Sequence, residues 1–164
     1  FVETAISLRE KRPNFKFILV APEEAGSFGA VPKEYVLATE SKANFMWLGF
    51  QKKVKPLYAI SDLAVLPTFY KEGGYPRALL EPMAMGKPVI TTDSEDCCGA
   101  VEDTKNGYLI PVKNSWALED AIIRILDDEN ISKKFGEYSR VKAVRDFDES
   151  TIIPGALRQM GVIE

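Results

Sequence analysis

The sequence predicts an α/β protein with an open, mostly parallel sheet and helices on both faces. Two observations carry this. Five short apolar runs punctuate the chain, and stretches of helical period alternate with them. The runs are "FKFILV" at 15–20, "FMWLGF" at 45–50, "LAVLP" at 63–67, "PVITT" at 88–92 and "GYLIPV" at 107–112. They are nearly continuous in apolar character rather than alternating. That is the pattern of strands buried on both faces, which parallel sheets require. Alternation of strands with helices then points to parallel crossovers.

Stretches of helical period precede, separate and follow these runs. "FVETAISLREKR" gathers Val2, Ala5, Ile6 and Leu8 toward one side. "KKVKPLYAISD" does so with Val54, Leu57, Tyr58 and Ile60. "PRALLEPMAMG" has Pro76 where a first turn begins and Gly86 where a C-terminal cap belongs. "WALEDAIIRILDD" repeats Leu118, Ala121, Ile122 and Ile125, with Ser115 available as N-cap. "NISKKFGEYSRVKAVRDF" continues as a further helix, and "DESTIIPGALRQMGVIE" reads as a terminal helix interrupted at Pro154-Gly155. The segment 22–34 reads as the longest irregular loop and the best candidate for mobility.

Bulk properties bound the function. A chain of 164 residues can bury one sizeable core. Net charge is −3, and the basic clusters "EKR" and "QKKVK" are short, so nothing invites nucleic acid. The two cysteines, Cys97 and Cys98, are adjacent, which suits a reducing, cytoplasmic setting and a packing role rather than zinc. No apolar run approaches the ~20 residues of a membrane span. There is no histidine to act as base or metal ligand. "GSFGA" at 26–30 is too short for a dinucleotide fingerprint.

The stretch "TFYKEGGYPRALLE" at 68–81 follows the third strand, where open parallel sheets place their ligands. Gly73 and Gly74 allow close backbone approach. The next helix offers unsatisfied N–H groups near Arg77, Ala78 and Leu79, and its dipole favours a phosphate. Glu81, early in that helix, can accept from ribose hydroxyls, and Glu72 from those of a sugar. Each feature alone also has a structural reading: a carboxylate near a helix start is favoured by the dipole, and a Gly-Gly pair reverses a chain. Asp93, Glu95 and Asp96 form an acidic patch that either lines an acceptor cleft or, the better reading, is a solvated loop.

Together with "DCCGAVEDTKNGYLIPVKNSWALEDAI", this stretch resembles the donor-binding half of family 4 glycosyltransferases, which have the GT-B fold with Rossmann-like domains. The resemblance covers nearly the whole chain. It implies that residues 1–164 form the donor-nucleotide-binding domain of a retaining enzyme that transfers sugar from a UDP-sugar or GDP-sugar to a glycan or glycolipid acceptor. It implies that no metal ion is required. Glu81 then resembles the ribose-binding glutamate and Glu72 the donor-sugar glutamate. The amides of Arg77, Ala78 and Leu79 face the diphosphate, and Gly49, Phe50 and Gln51 border the nucleobase. A plain turn with Phe50 packed inward is the other reading of that last loop. In the family seven residues separate the two glutamates, whereas here eight lie between Glu72 and Glu81. Either the glycine turn carries one extra residue, or Gly73 stands where the first carboxylate belongs.

The family's acceptor domain, its catalytic histidine, and the opening strand and Arg/Lys pair of its donor domain have no counterpart in these residues. The chain therefore reads as a donor domain truncated at its N-terminus, without catalytic residues of its own. The missing strand is expected to leave a gap in the sheet or let its neighbours close up. A cytoplasmic location, with peripheral association at the inner membrane face, follows from the same resemblance. The alternatives are a non-catalytic α/β nucleotide-binding or regulatory module and a GT-B nucleotide-sugar epimerase.

Overall fold

The computed structural model describes residues 1–23, 30–40 and 42–163. Residues 24–29 of the candidate loop 22–34, and with them most of "GSFGA", fall outside the described residues, and Lys33 and Glu34 at its end are helical rather than irregular. The chain divides into two compact units, Phe1–Val54 with Ser115–Glu119, and Lys55–Asn114 with Asp120–Glu164.

The first unit opens with α1 (Val2–Lys11), followed by β1 (Phe17–Leu19), α2 (Lys33–Glu40) and β2 (Phe45–Trp47). β1 and β2 pair in parallel, with Phe17 opposite Phe45. Ala5 and Leu8 of α1 are fully buried, as the helical spacing predicts, whereas Ile6 is exposed and Thr4 is buried instead. The Phe1 ring meets Phe17 edge-on, with centroids 5.8 Å apart. Sequence periodicity does not reveal α2. It begins just after Pro32, whose carbonyl accepts from Tyr35 and Val36. Trp47 is held on two sides: its backbone N–H donates to the Glu40 carboxylate and its indole N–H to the Ala21 carbonyl, 2.9 Å away. The start of α6 (Ser115–Leu126) belongs to this unit, and Thr4 donates its hydroxyl hydrogen to the Ser115 carbonyl. Ser115 is thus the first helical residue rather than the cap.

The second unit holds α3 (Lys55–Ile60), β3 (Ala64–Leu66), α4 (Arg77–Ala84), β4 (Val89–Thr92), α5 (Glu95–Cys98) and β5 (Gly107–Ile110). The rest of α6, α7 (Glu129–Phe147) and α8 (Glu149–Gln159) complete it. The strands lie in the order β3-β4-β5, all parallel. All five expected strands are present, shorter than their apolar runs, and helices flank them. They form two sheets, of two and three strands, rather than one.

The core of this unit is Leu79, Met83, Val89, Cys97, Ala100, Val101 and Ala143, with Tyr58, Leu66 and Phe147 packed against it. Cys97 is a fully buried packing residue, as expected. Two glycines set how closely layers approach. A Cβ on Gly107 would lie 1.5 Å from the Val89 carbonyl oxygen, and one on Gly136 2.3 Å from that of Gly86. The first brings β5 against β4 and the second α7 against α4. Arg140 of α7 then donates to the Ala84 carbonyl at the end of α4, 2.7 Å away.

Helix ends follow local chemistry. Pro76 is the N-cap of α4, and Gly86, with φ of +70°, follows its C-terminus. Asp128 caps α7 by accepting from the N–H groups of Asn130 and Ile131. The expected interruption at Pro154-Gly155 is not found, and α8 runs through it. Proline's fixed φ suits a helix, and the loss is one hydrogen bond. The Asp148 cap on Ser150 N–H, at 2.8 Å, secures the helix start.

A charged network ties β5's approach to α7. Glu102 accepts from Lys105, Lys142 and the Tyr138 hydroxyl, each at 2.9 Å. The hydrogen bond from Lys105, and then that from Lys142, pulls the Glu102 carboxyl down from 4.5 to about 2. A depressed carboxyl stabilises the fold above its ordinary value. That contribution is lost as the pH falls from 4.5 toward 2. Glu102→Gln should therefore flatten the acid limb of a pH–stability curve over this window. An unchanged limb would refute the network's part in it. Gly107→Ala should cost about 3 kcal/mol, or about 6–12 °C in Tm, because backbone must move. Gly155→Ala meets nothing within 4 Å and should be neutral or stabilising. Thermal melts of both variants check the contrast.

Candidate functional site

The carboxyl ends of β3, β4 and β5 open onto three loops of the second unit. Side chains join these loops. Thr91 and Thr92, both buried on β4, donate to the carbonyls of Leu66 and Thr68. The Thr92 bond fixes the start of the loop that follows β3. From the loop after β5, Lys113 places its ammonium 4.6 Å above the Phe69 ring. Lys113 adopts φ of +57°, unusual for a residue with a side chain. Phe69 in turn stacks on Tyr70, with centroids 4.3 Å apart.

The glycine turn comes next. Gly73 and Gly74 adopt φ of +73° and +136°, which explains the doublet, since side chains rarely adopt such a backbone. Both face open space. Asp96 of α5 accepts from the N–H groups of Glu72 and Gly73 through one oxygen, at 2.7 and 3.2 Å. This corrects the solvated reading for Asp96, while Asp93 and Glu95 are exposed as expected. Glu95 and Asp96 lie in a single helical turn, and Asp96 is built into the site loop. Asp93 accepts instead from the Cys98 thiol, at 3.2 Å. That hydrogen bond, with burial and the carboxylate's charge, pushes the thiol's pKa up, so Cys98 is not primed as a nucleophile.

α4 supplies the rest. Among the described residues, no backbone acceptor serves the Arg77 or Ala78 amides. They are the orphan donors of an eight-residue helix. The Leu79 amide is different. It donates to the Pro76 carbonyl at 2.9 Å, and its side chain is fully buried in the core. The Leu79 amide is thus already engaged within the first turn of α4, while its side chain packs in the core.

Glu81 lies one turn further on, partly buried. One of its oxygens accepts from Arg77, 2.8 Å from Nη2 and 3.0 Å from Nε. The Arg77 side chain is 87% exposed, so this pair is worth little and its replacement by another donor costs little. The Tyr58 hydroxyl of α3 feels the same carboxylate. Burial first, and the charge of Glu81 second, raise its pKa. Glu72 is exposed, and its carboxylate has no hydrogen bond or ion pair among the described residues. The structure thus gathers Glu72, Gly73, Gly74, Arg77, Ala78 and Glu81 on one stretch of the second unit. Gly49, Phe50 and Gln51 follow β2 in the first unit. Phe50 is 73% exposed, which excludes the inward-packed reading of that turn, and Gln51 donates to the Leu48 carbonyl.

Parallel α/β sheets with an anion-competent helix start at their carboxyl edge are the architecture of GT-B glycosyltransferases. Anabaena HepE, crystallised with UDP, superimposes with a TM-score of 0.84 at 23% identity, over 98% of this chain and 45% of that one. Residues 1–142 match the family described as Glycosyl transferases group 1, and the chain belongs to that family. A Campylobacter jejuni relative, N,N'-diacetylbacillosaminyl-diphospho-undecaprenol alpha-1,3-N-acetylgalactosaminyltransferase, is 28% identical over 93% of this chain. An Escherichia coli relative, UDP-Gal:alpha-D-GlcNAc-diphosphoundecaprenol alpha-1,3-galactosyltransferase, is 26% identical over 82% of it. The chain spans 38% and 35% of the lengths of these two relatives.

Gly74 tests the turn directly. Gly74→Ala meets no neighbour, so only backbone strain opposes it, at about 1–3 kcal/mol. Chemical denaturation should show that loss. Unchanged stability would mean the turn relaxes freely to another conformation.

Proposed function

We propose that residues 1–164 are the donor-nucleotide-binding domain of a retaining glycosyltransferase. The enzyme takes a sugar from a nucleoside-diphosphate sugar and passes it to a hydroxyl of a glycan or lipid-linked acceptor. The acceptor is held by a domain outside these residues, so the chain alone transfers no sugar. The observation that carries this reading is α4. Two unserved amides at its start meet a diphosphate, and Glu81, one turn on, accepts from ribose hydroxyls after releasing Arg77. Glu72, unpartnered beside an open glycine turn, addresses the sugar. The openness of that turn supports one extra residue within it rather than Gly73 in place of the carboxylate.

UDP is the nucleotide we propose, ahead of GDP. A relative named for UDP-Gal and a structural neighbour crystallised with UDP support it. Leaving-group charge is met by amides and by Arg77 rather than by a required metal ion. Gly49, Phe50 and Gln51 border the base. Among the described residues no helix is long and apolar enough to cross a membrane. Work at the cytoplasmic membrane face, by peripheral association, is part of the proposal. The two relatives named for undecaprenol-linked acceptors support it.

Calorimetry on the full-length protein tests this. A carboxylate accepting ribose hydroxyls contributes about 1.5–3 kcal/mol per charge-assisted bond. Glu81→Ala should therefore weaken UDP binding at least tenfold, about 1.4 kcal/mol. Glu72→Ala should spare UDP and weaken the UDP-sugar. EDTA should leave UDP affinity unchanged. Equal UDP affinity for wild type and Glu81→Ala would reduce Glu81 to a helix-start residue and overturn the site.

A further inference from the structure

The loop 67–76 carries a carboxylate that must point somewhere definite, yet its centre is two glycines. Such a segment is costly to order, because glycine loses more backbone freedom on ordering than any other residue. α5 supplies the order from both sides. At the near end, one oxygen of Asp96 holds the N–H groups of Glu72 and Gly73. At the far end, the Tyr75 ring lies over Gly99, directly after α5, so close that a Cβ there would come within 2.3 Å of its hydroxyl oxygen. The same ring meets Phe147 edge-on at 5.0 Å. α5 is itself immobilised. Cys97 is fully buried in the core, and its N–H donates to the Ser94 carbonyl at 2.9 Å. A rigid turn thus grips a pliable one at both flanks and leaves only Gly74 between the grips.

We propose that Asp96 is a positioning residue for donor-sugar recognition. By binding the two amides, its carboxylate fixes the direction of Glu72 before ligand arrives, so the sugar finds an ordered acceptor. Asp93 and Glu95 take no part: Asp93 is engaged by Cys98, and among the described residues the side-chain bonds to the turn amides come from Asp96. The two amides are spent on Asp96, so they are not donors to the ligand. This inference rests on the donor-binding reading, because it gives Glu72 a sugar to meet.

Two measurements on the full-length protein separate this inference from that reading. In the first, without ligand, amide hydrogen exchange is followed over residues 71–75. Asp96→Ala should speed exchange at least tenfold, and Asp96→Asn, which keeps an acceptor oxygen, should restore most of the protection. In the second, binding of UDP is compared with that of UDP-galactose, UDP-glucose and UDP-N-acetylgalactosamine. Asp96→Ala should weaken the best UDP-sugar five- to tenfold while UDP stays within twofold, with rescue by Asp96→Asn. Unchanged exchange, or equal loss for UDP and UDP-sugar, overturns the role of Asp96 and leaves donor binding intact. Altered exchange in a protein that binds none of these nucleotides overturns the donor reading, and sugar positioning with it.

Discussion

β4 is buried along its whole length and paired on both sides, and the larger unit is organised around it. A strand in that position must satisfy every polar group internally. Its first half meets the demand with Val89 and Ile90, which carry no polar side-chain atoms. Its second half is Thr91 and Thr92, whose hydroxyls would be costly to bury unpaired. Each finds a carbonyl on the β3 side, Leu66 for one and Thr68 for the other. The solution to a burial problem is therefore also what anchors the site loop. The glycine turn, the aromatic pair Phe69 and Tyr70 and the start of α4 all hang from residues that these hydroxyls hold.

Much of this was legible in the residues. Continuous apolar runs gave the five strands, because burial on both faces removes alternation. Pro76 and Gly86 bracketed α4 within a residue, because cap geometry is local chemistry. The elements that escaped are those whose cause is not local. α2 has a weak apolar stripe, and α5 is a single turn whose formation depends on burying Cys97. The continuity of α8 through Pro154 escaped because a proline's cost is read easily from sequence, whereas the offsetting Asp148 cap is not. Division into two sheets is a matter of which strands pair, and apolar runs say nothing of pairing.

The site was legible as a set of residues but not as a set of bonds. Spacing located Glu72, the glycines, Arg77 and Glu81. It could not say that Arg77 already occupies Glu81, that Leu79 closes the first turn, or that Asp96 reaches across from another loop. The signal for Asp96 was present in one respect. An acidic residue just after the next strand in the sheet is close in space to the loop of the preceding strand. Adjacency of parallel neighbours makes that a general place to look.

Asp148 joins the last two helices. It is at once the residue that ends α7 and the cap that begins α8, with no spacer. No linker separates them, so the backbone of the single residue Asp148 is the joint about which α8 can turn against α7. That helix touches α4 through the bare backbone of Gly136 and the Arg140 bond to Ala84. That contact lies at the opposite end of α4 from the unserved amides.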